Sequence, residues 1–426
     1  MNTYIITFGS RGDVQPYVAL GKGLQAAGYQ VTLCTAEDFE PFVRENGLKY
    51  GYMTGELLRL MDTDAGREAM EETVGLFGSL KSMVKLTRQT KPLTRQTMLD
   101  SWAAAQEVEP DLVIYHPKAL AAVSIAEAFD APPVMALLQP MTVPTAEFPP
   151  PGMPSLPLGA TYNRSSYKAI AAGFSVYTGM VNEMRQEQMG LEKFPKGTGL
   201  YKTAAGRPIP VMHGFSAQVI PRPADWPDYA SIPGYWFLDR KEDWQPSAKL
   251  GEFLAAGEAP VYVGFGSMAG KDPARLTEIV IEALLQANVR GILASGWGGL
   301  ETADLPPSIL PIERAPHDWL FPQVSAVVHH GGAGTTAAGL RAGRPTVVCP
   351  FMGDQPFWGS RVHALGAGPQ PIPQKKLTAN GLAAAIKTAV NDDQMRETAD
   401  TLGKKIRAEN GVDTAVALIE QIMAAR

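Results

Sequence analysis

The chain lacks nearly everything that marks an exported, membrane-spanning or nucleic-acid-binding protein. Among 426 residues there are only two cysteines, Cys34 and Cys349, each in an apolar strand-like run. No disulfide between them is needed, and two buried reduced thiols in a cytoplasmic protein are expected. No apolar run reaches the length of a spanning helix, which leaves only peripheral contact with a membrane open. The opening "MNTYIITFGS" carries no basic leader and is not read as an export signal, so the Asn163–Arg164–Ser165 sequon is expected to be idle. A net charge of −5 lacks the basic face that a nucleic-acid partner demands. No lysine follows the glycine-rich turns as a Walker loop requires, and neither "GSRG" nor "GFGSMAG" is a full dinucleotide fingerprint. ATP and NAD are therefore poorly supported as ligands.

What is present is 45% hydrophobic and 19% charged, a globular composition, in a chain long enough for two or three domains. "TYIITF", "GSRGDVQP", "YVALGKGLQAAGY" and "QVTLCT" read as strand, turn, amphipathic helix and strand, the unit of a parallel sheet covered by helices. "DLVIY" and "PVMALL" continue that sheet, and 53–106 is predicted to be a helical insertion. Proline clusters over 140–159 and 221–236, after which "VYVGFGSM", "RGILAS", "SAVVHH" and "PTVVCP" restart the strand rhythm. The expected fold is α/β, with two doubly wound Rossmann-like domains facing a crevice. Residues 1–225 form the first, 226–245 a linker, 246–405 the second, and 406–426 a terminal helix that packs back on the first.

"VVHHGGAGTT", residues 327–336, is the most chemical stretch. A strand runs into glycines that open a helix, and helix N-termini at strand ends bind phosphate through unpaired N–H groups and the helix dipole. Gly331, Gly332 and Gly334 let the backbone approach an anion, Thr335 and Thr336 supply hydroxyls, and His330 adds a donor able to carry charge. A plain strand-to-helix turn with a capping threonine is the competing reading. Beyond the next strand, Asp354 and Gln355 form a carboxylate–amide pair suited to sugar hydroxyls.

The string "APHDWLFPQVSAVVHHGGAGTTAAGLRAGRPTVVCPFMGDQPFWGSRV" resembles the nucleotide-sugar box of family 1 glycosyltransferases with the GT-B fold. It is most similar to the sterol 3-β-glucosyltransferase and bacterial antibiotic glycosyltransferase branches. "GSRGDVQPYVALGKGLQAAGYQVTLCT" resembles the start of their acceptor domain. The resemblance implies that His330, Gly332, Gly334 and Thr335 hold a diphosphate and that Asp354 and Gln355 hold the donor sugar. It places Ser267 on a loop closing over the nucleotide, and Arg314 and Ala315 where the base is recognised, Arg314 standing for a stacking tryptophan. Ala338 replaces the glutamate with which plant members bind the ribose.

The implied reaction is transfer of a hexose, glucose, from a UDP-sugar (or dTDP-sugar) to a hydroxyl of a lipophilic acceptor such as a sterol, triterpenoid or polyketide. Inversion and no metal or cofactor are expected. Asp13 is the expected base, with capping of the following helix as its other reading, and the two are compatible. His116, where relatives carry an aspartate, either assists Asp13 or is structural, and Arg11 either reaches the diphosphate or is solvated. "DTD" at 62–64 is taken as a surface loop and not as a metal site. A sugar-nucleotide epimerase of the same fold, or an inactive partner protein, are the rival functions, and the oligomeric state is open.

Overall fold

The computed structural model describes residues 1–62, 80–195, 202–239, 244–266, 272–297 and 305–425. The chain divides into two compact units. One holds Met1–Ala217, Pro221–Leu238 and Asn410–Arg426, and the other Gln218–Ile220 and Asp239–Glu409. The stretch 226–245, expected as a linker, is therefore split. Its first part carries a short strand of the first sheet and two buried indoles, Trp226 and Trp236, so it is built into that unit.

The first unit runs β1 (Asn2–Ile6), α1 (Arg11–Ala26), β2 (Gln30–Ala36), α2 (Glu40–Glu45), β3 (Lys49–Met53), α3 (Glu56–Asp62) and α4 (Leu80–Val108). It continues with β4 (Leu112–Tyr115), α5 (Ala122–Ala128), β5 (Pro133–Leu137), α6 (Gly159–Ser175), α7 (Thr178–Gln188), β6 (Val211–His213) and β7 (Ala230–Ser231). Its sheet is ordered β3-β2-β1-β4-β5-β6-β7, with every pair parallel. Such sheets are covered on both faces, which is why "TYII" and "LVIY" are unbroken apolar runs and almost wholly buried. The strand order reverses between β1 and β4, so the loops after these two strands diverge and leave room for side chains. Much of the helical stretch expected at 53–106 is α3 and α4, and residues 63 and 64 of "DTD" lie outside the described residues.

The second unit comprises α8 (Ala248–Ala255), β8 (Val261–Gly264), α9 (Pro273–Ala287), β9 (Gly291–Ala294), β10 (Ile309–Ile312), α10 (His317–Leu320), β11 (Ala326–His329), α11 (Ala333–Arg341), β12 (Thr346–Val348), α12 (Gln355–Ala364), α13 (Ala379–Asn391) and α14 (Asp393–Arg407). Its sheet, β10-β9-β8-β11-β12, is also parallel and reverses between β8 and β11.

The last helix, α15 (Gly411–Ala424), belongs to the first unit. Ala415, Val416 and Ile419 join the core formed by β1, β2 and β4. Gly23 on α1 makes the approach close: a Cβ there would stand 2.3 Å from Val412 Cγ1. Cys34 and Cys349 are buried and unbridged, and burial pushes both thiols up to about 12. Among the described residues no helix is long and apolar enough to cross a membrane.

Candidate functional site

In the first unit the chemistry gathers at the β1–β4 reversal. "S-R-G-D" closes a capping box: Asp13 Oδ2 accepts the Ser10 N–H at 2.8 Å and the Ser10 hydroxyl at 3.1 Å. The fit needs Gly9, at φ +147°, where a Cβ would lie 2.2 Å from Asp13 Oδ2. Asp13 Oδ1 receives Lys118 Nζ at 3.1 Å, across 105 residues of sequence. Burial works to raise the carboxyl, but the Lys118 ammonium and the hydrogen bonds from Lys118 and Ser10 hold it below the usual carboxylate range. The carboxylate is thus ionised at neutral pH and fixed at both oxygens.

His116 directly follows β4 and is 1% exposed. Its Nδ1 accepts the Lys118 N–H at 3.2 Å, so the ring proton sits on Nε2. Burial and then Lys118 pull its pKa down to about 3, leaving a neutral imidazole. Tyr17 meets its ring edge-on at 6.3 Å and anchors α1 to β5 through a 2.6 Å bond to the Ala136 carbonyl. Arg11 is exposed, donates to Gln15 Oε1 at 3.1 Å and lies over the Phe42 ring.

In the second unit the site gathers at the ends of β8, β11 and β12. His330 follows β11, Gly331 takes φ +97°, and Gly332 is the N-cap of α11. A Cβ on Gly331 would lie 2.7 Å from Val348 Cγ1 and 3.0 Å from the Gln355 carbonyl oxygen, so this glycine packs directly on the Asp-Gln segment. One on Gly332 would stand 2.6 Å from His330 Nε2, whereas Gly334 has nothing within 4 Å of that position. The Thr336 hydroxyl donates to the Gly332 carbonyl at 2.9 Å, and Thr335 is half-buried beside it. The first N–H groups of α11 thus emerge from a turn with open space over Gly334.

His330, read from the sequence as a donor able to carry charge, has its pKa drawn down to about 4 by burial, against a hydrogen bond to the Gly264 carbonyl that raises it. Without an anion beside it the imidazole is neutral; a bound diphosphate would raise its proton affinity.

Asp354 stands just before α12 without capping it through its side chain; its Oδ2 accepts the indole N–H of the fully buried Trp358 at 2.8 Å. Gln355 is 7% exposed, and its Oε1 accepts the N–H groups of Phe351 at 2.7 Å and Met352 at 3.1 Å. Its carbonyl therefore shapes the turn, and only the amide NH₂ is left for a ligand. Arg314 is exposed after β10, and Ala315 and Ala338 pack against the cluster around Tyr262 and Phe321. Ser267 lies outside the described residues.

Sequence reasoning passed over Lys118 and Trp358, although "S-x-x-D" did signal the cap. Among the described residues no group of three or more His, Cys, Asp or Glu side chains is placed to hold a metal ion.

Residues 3–145 match the glycosyltransferase family 28 N-terminal domain, and 292–420 match the erythromycin biosynthesis protein CIII-like C-terminal domain. A sterol 3-beta-glucosyltransferase of Emericella nidulans is 39% identical over 427 residues, covering 97% of this chain and 29% of that protein. The chain is similar to this sterol glucosyltransferase over nearly its whole length. A sterol 3-beta-glucosyltransferase of Arabidopsis thaliana is 38% identical over 428 residues, covering 98% of the chain and 64% of its own length. The chain thus spans less than a third of the fungal relative and under two thirds of the plant one. The crystal structure of the kitacinnamycin glycotransferase shares its fold, with TM-score 0.70, 20% identity and 98% of both chains covered. The spinosyn forosaminyltransferase does so with TM-score 0.70 at 15% identity, over 100% of this chain and 99% of the other.

The Lys118–Asp13 pair makes a pH prediction. A group whose folded pKa is lowered by a cation regains a higher one when the cation is removed. Lys118→Met should therefore move the acid limb of kcat/KM to higher pH and leave donor KM little changed. A pH profile that superimposes on the wild-type curve counts against Asp13 as the titrating base.

Proposed function

We propose that this glycosyltransferase moves glucose from UDP-glucose to the hydroxyl of a lipophilic alcohol of the sterol type, in the cytoplasm, with inversion and without a metal ion. The observation carrying the reading is the turn at the end of β11. There a positive-φ glycine, the N-terminus of α11 and a buried imidazole converge beside the Asp354–Gln355 segment. Backbone N–H groups at a helix N-terminus stabilise a departing diphosphate as its negative charge grows, the electrostatic task a cation performs elsewhere. The sterol class of the acceptor is supported by the printed names of the curated relatives, 39% and 38% identical to this chain.

The reaction balances in one step. The acceptor oxygen attacks the anomeric carbon, the bond from that carbon to the diphosphate oxygen breaks, and UDP leaves with the electron pair. Asp13 takes the hydroxyl proton late, once bonding to the anomeric carbon has made the hydroxyl acidic; a lowered carboxyl pKa keeps the base ionised but makes it a weak one in the ground state. His116, neutral with its proton on Nε2, is a donor to the acceptor or to water and not a second base. A single displacement on an α-linked donor gives a β-glycoside.

The test is incubation with radiolabelled UDP-glucose or dTDP-glucose, excess EDTA and separate sterol and polyketide acceptors. Labelled β-glycoside is expected with UDP-glucose and sterol in the presence of chelator. Strict dependence on added Mg²⁺ or Mn²⁺, or epimerisation of the donor with no transfer, overturns the reading.

A further inference from the structure

Two adjacent histidines precede the glycine turn, and only His330 has a place in the reaction as proposed. Their rings lie 6.0 Å apart and nearly perpendicular, so the two imidazoles meet different surroundings. His329 is the last residue of β11, held between Gly264 of β8 and Val348 of β12, and its side chain is completely buried. Its carbonyl accepts the Cys349 N–H at 2.8 Å, which fixes its backbone. Its Nδ1 accepts the N–H of Gly331 at 2.9 Å. That is the residue at φ +97°, pressed against Val348 and Gln355, which immediately precedes Gly332, the N-cap of α11.

We propose that His329 is a positioning residue for donor binding: its Nδ1 ties down the Gly331 amide and so holds the glycine turn in the one conformation that aims the α11 N–H groups at a diphosphate. The bond needs a lone pair on Nδ1, hence a neutral ring protonated at Nε2. Burial, with His330 and His317 nearby, keeps His329 neutral far below the ordinary range. The Gly331 N–H is satisfied within the protein, so the anion is left to the N–H groups that follow it. The sequence "HHGG" thereby has two functions, one imidazole shaping the turn and the next lining it. This inference rests on the reading of the turn as a diphosphate site.

The experiment separates the acceptor atom from the bulk of the ring. An Asn side chain places its oxygen where Nδ1 stands, a Gln places it near Nε2, and a Leu offers none. UDP affinity by calorimetry, thermal stability, and steady-state kinetics are measured for wild type, His329→Asn, His329→Gln and His329→Leu. Loss of one net hydrogen bond corresponds to about a tenfold change in affinity. His329→Asn is expected to bind UDP within about threefold of wild type, while His329→Gln and His329→Leu weaken UDP and raise donor KM about tenfold with acceptor KM unchanged. A folded Gln variant that binds UDP like wild type, or an Asn variant as weak as Gln, overturns the proposal. If His329→Leu does not fold, the Asn–Gln pair decides alone. If wild type binds no UDP, it is the diphosphate reading that falls. Amide exchange at Gly331, slow in wild type and Asn and fast in Gln, then still tells whether His329 holds the turn.

Discussion

Asp13→Asn is expected to lower kcat by about 10³, within the range that removal of a general base produces, and to leave UDP affinity as in wild type. The side chain has two jobs, and Asn keeps one of them. An amide oxygen can still accept the Ser10 N–H, so the capping box at the start of α1 survives. What goes is the basic oxygen facing Lys118 and the ion pair with it, which between partly exposed groups is worth about 0–1 kcal/mol. Asp13→Ala removes the cap as well and should lose about 1 kcal/mol of stability on top of the same catalytic defect. Single-turnover rates with saturating donor, measured beside UDP titrations, distinguish the two effects. An Asn variant turning over within tenfold of wild type removes Asp13 from the chemistry.

Gly331→Ala should cost about 2–4 kcal/mol, the sum of a left-handed backbone and an overpacked methyl. The clash is with Val348 and with Gln355, so the strain is delivered to the turn and to the sugar-side segment together. A fall in melting temperature of roughly 5–15 °C and loss of measurable donor binding are expected. Gly334→Ala is the matched control. Nothing crowds that position, and alanine is the better helix former, so stability should hold or rise. Its methyl would nevertheless occupy the space reserved for phosphate oxygens, so UDP should bind more weakly. Undiminished UDP affinity in Gly334→Ala would mean that the anion does not approach this Cα.

The alternation of strand and helix over the first 40 residues, and the strands at 326–329 and 346–348, were legible because buried parallel strands are apolar on both faces and leave unbroken runs. The strands missed each hide that signal. β3, "KYGYM", pairs a half-buried with an exposed tyrosine on a sheet edge, while β6 and β7 are three and two residues long, too short for any period. β10 contains Pro311, which argues against a strand until its edge position in the sheet is known. At the site, the glycine turn stood out by residue type, and the Asp-Gln pair only in combination with it. Lys118 did not, because a lysine in a turn reads as solvated until the fold brings β4 beside β1. Nor could residue type tell that the Gln355 carbonyl is spent on the Phe351 and Met352 amides, or which of two histidines would carry the turn.

The return of α15 to the first unit has a bearing on how the polypeptide acquires its shape during synthesis. Ala415, Val416 and Ile419 fill a core begun by residues of β1, yet the ribosome makes them only after the whole second unit. The nascent first sheet must therefore wait with an apolar face uncovered, open to chaperones and to aggregation, until the second unit and then α15 have been made.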